Sequence, residues 1–159
     1  METPSKCVLN MNSKDTGNLG EHLAILECLK LGIIVSRPLG DNARYDLILD
    51  INGKLLTAQV KTNNRAEEDM VSFPLTSSQA HRGKGRQTYD VDVFLLVDLY
   101  RENVFLLKAS EDKKSIILRY TTTRTARSNL AQDYLLRSCV ETLHDTSRLL
   151  DEDKVQTPN

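Results

Sequence analysis

At 159 residues, with 40% apolar and 27% charged side chains, the chain has the length and balance of one soluble domain with its own core. Its formal net charge of −1 excludes polyanion binding by the chain as a whole, so any nucleic-acid surface has to arise from local segregation of charge. Three cysteines, Cys7, Cys28 and Cys139, are odd in number and lack metal-type spacing, which argues against a disulfide framework and for reduced thiols in a cytoplasmic protein.

Residues 1–12 read as a flexible tail without the apolar stretch of a signal peptide. The most apolar later run, 91–99, is broken by Asp92 and Asp98, so no membrane span is expected. A first helix is expected from Asp15 or Thr16 to Leu31. Leu19, Leu23 and Leu26 keep helical spacing, Ile25 and Leu29 widen the apolar face, and Gly32 supplies the stop. Gly17 and Gly20 are out of place in its first turns, because a glycine costs about 1 kcal/mol against alanine inside a helix. Close approach of another backbone is the expected reason. Residues 32–38 then read as a first strand, and Gly40-Asp41-Asn42 as the loop that follows.

Asn52-Gly53 separates the runs RYDLILDI (44–51) and KLLTAQVKT (54–62). Asn-Gly between hydrophobic runs favours a type I′ hairpin, since both central residues can take positive φ and match the strand twist. That turn sets Ile51 opposite Lys54 and, counting outward, Asp46 opposite Gln59. Lys61 falls one diagonal step away on the same face, within about 7–8 Å of Asp46. Tyr45, Leu47, Leu49, Leu56, Ala58 and Val60 take the other face as a core layer. Asp50 and Thr57 share the polar face and are assigned no chemistry.

Residues 63–74 are polar and read as a loop or short strand, with Thr76 or Ser77 capping a short helix through His81. The stretch 81–87 (HRGKGRQ) is basic and glycine-rich. Residues 90–99 and 103–109 suggest a second hairpin around 100–102, and 115–120 a final strand. A long helix is expected over 129–150, with Leu136, Val140 and Leu143 on one stripe, before a disordered acidic tail over 151–159. One domain over 13–150 results, of class α/β (α+β) with a mixed central sheet flanked by helices.

Taken one at a time, Asp46, Lys61 and Glu21 are ordinary surface residues. Held together by one register, they resemble the PD-(D/E)XK nuclease superfamily, whose restriction-endonuclease-like αβββαβ core opens its second strand with an acid and carries (D/E)-X-K on the third. Asp46 and Gln59-Val60-Lys61 occupy those places, and Glu21 matches the acid that many members carry on the first helix. Gly17-Asn18-Leu19-Gly20-Glu21, Gly40-Asp41, Tyr45-Asp46-Leu47-Ile48, Asn52-Gly53-Lys54 and Gln59-Val60-Lys61-Thr62 are similar, more narrowly, to homing endonucleases encoded in bacterial group I introns. Gln59 departs from the superfamily pattern by replacing the second acid, although the intron-encoded group is similar in using glutamine.

The resemblance implies site-specific, metal-dependent hydrolysis of phosphodiester bonds in double-stranded DNA. Asp46, Gln59 and the Val60 carbonyl would hold Mg²⁺ or Mn²⁺, with Glu21 acting directly or through water, and Lys61 would position or deprotonate the attacking water. Catalysis is thus expected from Glu21, Asp46, Gln59 and Lys61. Cutting two strands implies a homo-oligomer, tetramer or dimer, with the long carboxy-terminal helix as candidate interface.

Two basic segments offer a phosphate track: Arg82, Lys84 and Arg86, and Lys113, Lys114, Arg119, Arg124 and Arg127, which run without an intervening acid. His22, His81 and His144 are read as non-catalytic, and Gln79 as an accessory group. The rival readings are a Holliday-junction resolvase or a repair or restriction nuclease on the same core, a DNA-binding module that has lost catalysis, and an unrelated regulatory domain whose polar hairpin face binds a protein.

Overall fold

Asn12 starts the first helix, its side-chain oxygen accepting from the Asp15 backbone N–H at 2.9 Å and so satisfying one of the donors that a helix start leaves free. Helix α1 runs Ser13–Lys30. It ends as the sequence suggests, with Gly32 at φ +74°. The Ile33 N–H donates to Cys28 O and the Gly32 N–H to Leu29 O, the paired bonds of a Schellman stop. The computed structural model describes residues 10–40, 42–77, 88–122 and 129–143.

Among the described residues eight strands follow: β1 (Ile34–Ser36), β2 (Leu47–Ile51), β3 (Lys54–Asn63), β4 (Met70–Pro74), β5 (Val93–Asp98), β6 (Asn103–Lys108), β7 (Ser115–Arg119) and β8 (Asn129–Leu130). Two short helices, α2 (Ala131–Tyr134) and α3 (Leu136–Leu143), close the described chain. The main sheet has the order β1-β2-β3-β5-β6 and is mixed, since β3 and β5 run parallel while the other pairs are antiparallel. The β2–β3 hairpin keeps the expected register, Ile51 opposite Lys54 and Leu47 opposite Ala58, across a turn with Asn52 at φ 54° and Gly53 at φ 84°.

Strand β5 is buried along its whole length because both of its faces are covered. Val93, Leu95 and Val97 join Leu47, Leu49, Ala58 and Val60 of the hairpin under α1, while Phe94 and Leu96 pack with Val71, Phe73, Ile116 and Leu118 of the second sheet, β4-β7-β8. At its end Asp98, fully buried, accepts from the Tyr100 and Arg101 N–H groups, from Arg101 Nη1 at 3.0 Å and from the Tyr120 hydroxyl at 2.6 Å. Arg101 Nη2 donates onward to the Glu67 and Glu68 carbonyls, tying the β5–β6 turn to the loop before β4.

Four expectations are corrected. The face that α1 buries is Thr16, Gly20, Ala24 and Cys28, not the leucine stripe; Leu19, Leu26 and Leu29 remain exposed. The reason is distance, since small residues let the helix settle close to β3. At Gly20 the neighbour is a side chain, not a backbone: a Cβ there would lie 1.9 Å from Thr62 Oγ1, whereas Gly17 has open space. The strand 115–120 is not the final one, because Asn129–Leu130 adds β8 alongside β7. The single helix over 129–150 is broken at Leu135, whose extended backbone (ψ 128°) bridges Phe105 and separates α2 from α3. Leu136 and Val140 still share the buried stripe. Thr76 pairs with Thr88 in an isolated bridge. The body of the short helix expected through His81, the tails (residues 1–9 and 151–159) and residues 144–150 lie outside the described residues.

Gly20→Ala should destabilise the fold by about 1–3 kcal/mol through overpacking, although alanine gains about 1 kcal/mol at an unconstrained helix position. Gly17→Ala is the control and should stabilise. Adding Thr62→Ala to Gly20→Ala should recover part of the loss, a non-additivity read from urea unfolding; strict additivity would remove Thr62 as the cause.

Candidate active site

The ladder between β2 and β3 gives out at Leu47, and there the hairpin turns polar. Asp46, one step beyond β2, still donates its N–H to Ala58 O at 2.9 Å, which keeps it in register opposite Gln59. One carboxylate oxygen, Asp46 Oδ2, accepts from Gln59 Nε2 at 2.5 Å and from the Val60 backbone N–H at 2.8 Å. Two donors from β3 therefore fix the rotamer of a half-buried acid. With its nitrogen committed to Asp46, Gln59 keeps its amide oxygen as the atom that can meet a cation.

Glu21 arrives from α1, on the turn that the Gly20–Thr62 contact seats against β3. Burial raises its carboxyl above the ordinary value of 4.5, and the nearby Asp46 carboxylate raises it further; Arg37 and His22 pull the other way. Arg37, on the connection after β1, donates from Nη2 to Glu21 Oε2 at 2.6 Å. Glu21, Arg37, Tyr45 and Asp46 line one open cleft of about 320 Å³. A larger cleft of about 540 Å³, bordered by Glu21, Val60, Lys61, Asn64 and Arg65, lies beside it. Glu21 is the wall between them.

Lys61 sits on the same strand face as Gln59, but its amine does not join Asp46. Nζ donates to the Tyr89 hydroxyl at 2.7 Å and lies 4.2 Å from the centre of that ring, and Tyr89 packs edge-on against Phe94. The acid–amide pair and the amine thus occupy adjoining clefts. His22 donates from Nδ1 to Asn18 O along α1 at 2.7 Å, an intrahelical bond rather than a contact to the site. Among the described residues no group of three or more His, Cys, Asp or Glu side chains gathers to hold a metal. Asp46 and Glu21 line one cleft, and the Gln59 amide is bonded to Asp46 beside it.

The comparison with known families decides the identity. A family model described as PD-(D/E)XK endonuclease matches residues 11–136. The chain belongs to the PD-(D/E)XK endonucleases. Among solved structures, this endonuclease is similar to a bacterial homing endonuclease, I-Ssp6803I, at 24% identity with a TM-score of 0.62 over 84% of this chain and 92% of that one. A search of curated proteins finds no match.

Of the basic residues singled out in this endonuclease, Lys113 and Lys114 precede β7 at its Ser115 end, where Leu75 N–H donates to Lys114 O. Arg119 lies at the other end, opposite Met70, so the three are separated by the length of the strand rather than forming one patch. Arg119 borders a smaller cleft with Asn103, Tyr120 and Gln132. Arg82, Lys84, Arg86, Arg124, Arg127, Gln79, His81 and His144 lie outside the described residues. Asp50 and Thr57 have structural partners: Asp50 accepts from the Gly53 N–H in the turn, and Thr57 exchanges hydrogen bonds with Asp92. Sequence reasoning missed Arg37 and Tyr89, because neither stands at a recognisable spacing from the acids; only the fold brings them there.

The raised carboxyl of Glu21 makes a pH prediction. A folded-state value above the unfolded one favours the fold where Glu21 is protonated, and that contribution is lost as pH rises through the raised value. Glu21→Gln, which keeps the neutral form, should gain stability over the parent as pH rises above the ordinary carboxylate value and lose that advantage below it. Urea midpoints across pH measure the trend, and a pH-independent difference would contradict it.

Proposed function

We propose that this endonuclease is a metal-dependent, site-specific enzyme for double-stranded DNA, of the intron-homing kind, with Asp46, Gln59, Glu21 and Lys61 as its catalytic groups. The observation that carries the proposal is the shared oxygen of Asp46, held by Gln59 and the Val60 N–H while the Glu21 carboxylate stands near enough to be raised by it. The likeness to a structure titled as a bacterial homing endonuclease supports the finer part.

The donor set fits a hard divalent cation such as Mg²⁺ or Mn²⁺: two carboxylates, an amide oxygen and a backbone carbonyl. Asp46, Gln59 and the Val60 carbonyl would hold it, with Glu21 direct or through water. When bound, such an ion makes coordinated water more acidic than bulk water and offsets charge on a phosphoryl oxygen. The protein's own contribution is orientation. Gln59 and Val60 fix Asp46, and the Gly20–Thr62 contact fixes the turn that carries Glu21. The Lys61 ammonium, stored on Tyr89 at the edge of the larger cleft, supplies positive charge and a donor for water or phosphate.

DNA would run over the larger cleft towards the Pro74 end of β4, which Pro74 shares with that cleft and which lies beside Lys113 and Lys114. Arg119 and the segments holding Arg82, Lys84, Arg86, Arg124 and Arg127 would add phosphate contacts. A homo-oligomer, tetramer or dimer, would supply a site for each strand. One observation favours a second reading, a DNA-binding module without cleavage: the Lys61 amine is engaged with Tyr89 and not with the acid pair.

Incubation with a random-sequence DNA library and Mg²⁺, followed by mapping of cut ends, distinguishes the two. Defined ends that vanish with a chelator are expected. Asp46→Asn and Lys61→Ala should each lower cleavage by at least about 10²–10³-fold while leaving binding to uncut duplex in place. Intact cleavage in either variant would end the assignment, and binding without any cleavage by the parent would select the second reading.

A further inference from the structure

Glu21 and Asp46 are two carboxylates brought to one cleft, where the charge of Asp46 disfavours that of Glu21. The charged groups that bear on Glu21 are Asp46 across the cleft, His22 on its own helix and Arg37 from the connection after β1. Of these, Arg37 is ion-paired to it at 2.6 Å, with its own side chain about half exposed. Pro38 follows directly and restrains the backbone on which the guanidinium is carried. A guanidinium in this position offsets the Glu21 charge as a divalent cation would, so the two compete for Glu21. An arginine displaced from a carboxylate also keeps a planar fork of donors suited to a phosphate.

Resting on the function proposed above, we propose that Arg37 is an exchangeable counter-ion: it neutralises Glu21 in the empty site, yields that carboxylate when a divalent cation enters, and then binds a phosphate of the DNA at the same cleft. The geometry supports each step. The ion pair lies in the cleft that Asp46 lines, so a cation reaching both acids meets Arg37 there. The exposure of Arg37 against the more buried Glu21 means that the arginine, not the acid, is free to swing away. The strand that precedes Arg37 is held by β1 pairing with β2, independently of the ion pair.

The test separates two effects of opposite sign. Mn²⁺ affinity of the DNA-free protein is measured by electron paramagnetic resonance of the free ion, for the parent, Arg37→Gln, Arg37→Lys, Glu21→Gln and the Glu21→Gln/Arg37→Gln pair. Removing the competing charge should tighten Mn²⁺ binding in Arg37→Gln by about three- to tenfold. In the Glu21→Gln background the same change should have no such effect. Single-turnover cleavage at saturating Mn²⁺ should nonetheless fall at least about tenfold in Arg37→Gln, with partial recovery in Arg37→Lys, because a lysine restores the charge on phosphate without the fork. A purely structural arginine would weaken both properties together. Mn²⁺ affinity unchanged or weakened in Arg37→Gln, or cleavage at the parental rate, would overturn the exchange. If the parent itself neither bound Mn²⁺ nor cut DNA, the functional proposal would fall first; a parent that does both, with Arg37→Gln indistinguishable from it, would sink the exchange alone.

Discussion

The acid–amide pair at the heart of the candidate site hangs on the pleat of one hairpin. In a strand, neighbouring side chains face opposite ways, so a slip of one residue in the β2–β3 pairing would send Asp46 and Gln59 into the core and bring Leu47 and Ala58 out. The Asn52-Gly53 turn, with both residues at positive φ, prevents that slip at one end. Burial of Leu47, Leu49, Ala58 and Val60 prevents it at the other. Local turn chemistry and long-range packing therefore select the same register, and the acid–amide pair is the consequence at the point where the ladder stops.

The second constraint is how near α1 comes to β3. Thr16, Gly20, Ala24 and Cys28 present almost no bulk to the sheet, and Gly20 leaves room for Thr62 where any side chain would collide. The helix gives up much of its leucine face to solvent for this, an arrangement that burial of apolar area alone would not choose. What it achieves is position: Glu21 follows Gly20 and reaches the cleft that Asp46 lines.

Two acidic sites in the same molecule show how burial is handled differently for structure and for chemistry. Asp98 is wholly enclosed, yet four donors and the stacked Arg101–Tyr120 pair surround it, so its charge is met on every side. Such a network holds a turn and has no reason to change. Asp46 disfavours the charge of Glu21 across an open cleft, offset by a half-exposed arginine and by His22. Like charges held together at some expense of stability are a mark of sites arranged for a ligand.

Much was legible in the residues alone, wherever the information is local. The Asn-Gly turn, the alternation of the hairpin, the stop at Gly32 and the strands of the second hairpin each depend on a few neighbouring positions, and the fold agrees with them. What tertiary structure decided was which of two possible partners a segment took. Leucines at helical spacing on α1 were left exposed because a stripe of small residues packed closer. A helical stretch after residue 129 was interrupted because β7 and Phe105 claimed its backbone for pairing. Arg37 and Tyr89 reached the site through the three-dimensional path of chain segments that carry no signal of their own. The sequence by itself determined register and therefore which side chains could share a face; only the assembled fold decided which charges meet, because electrostatic partners are set by distance in space and not by spacing along the chain.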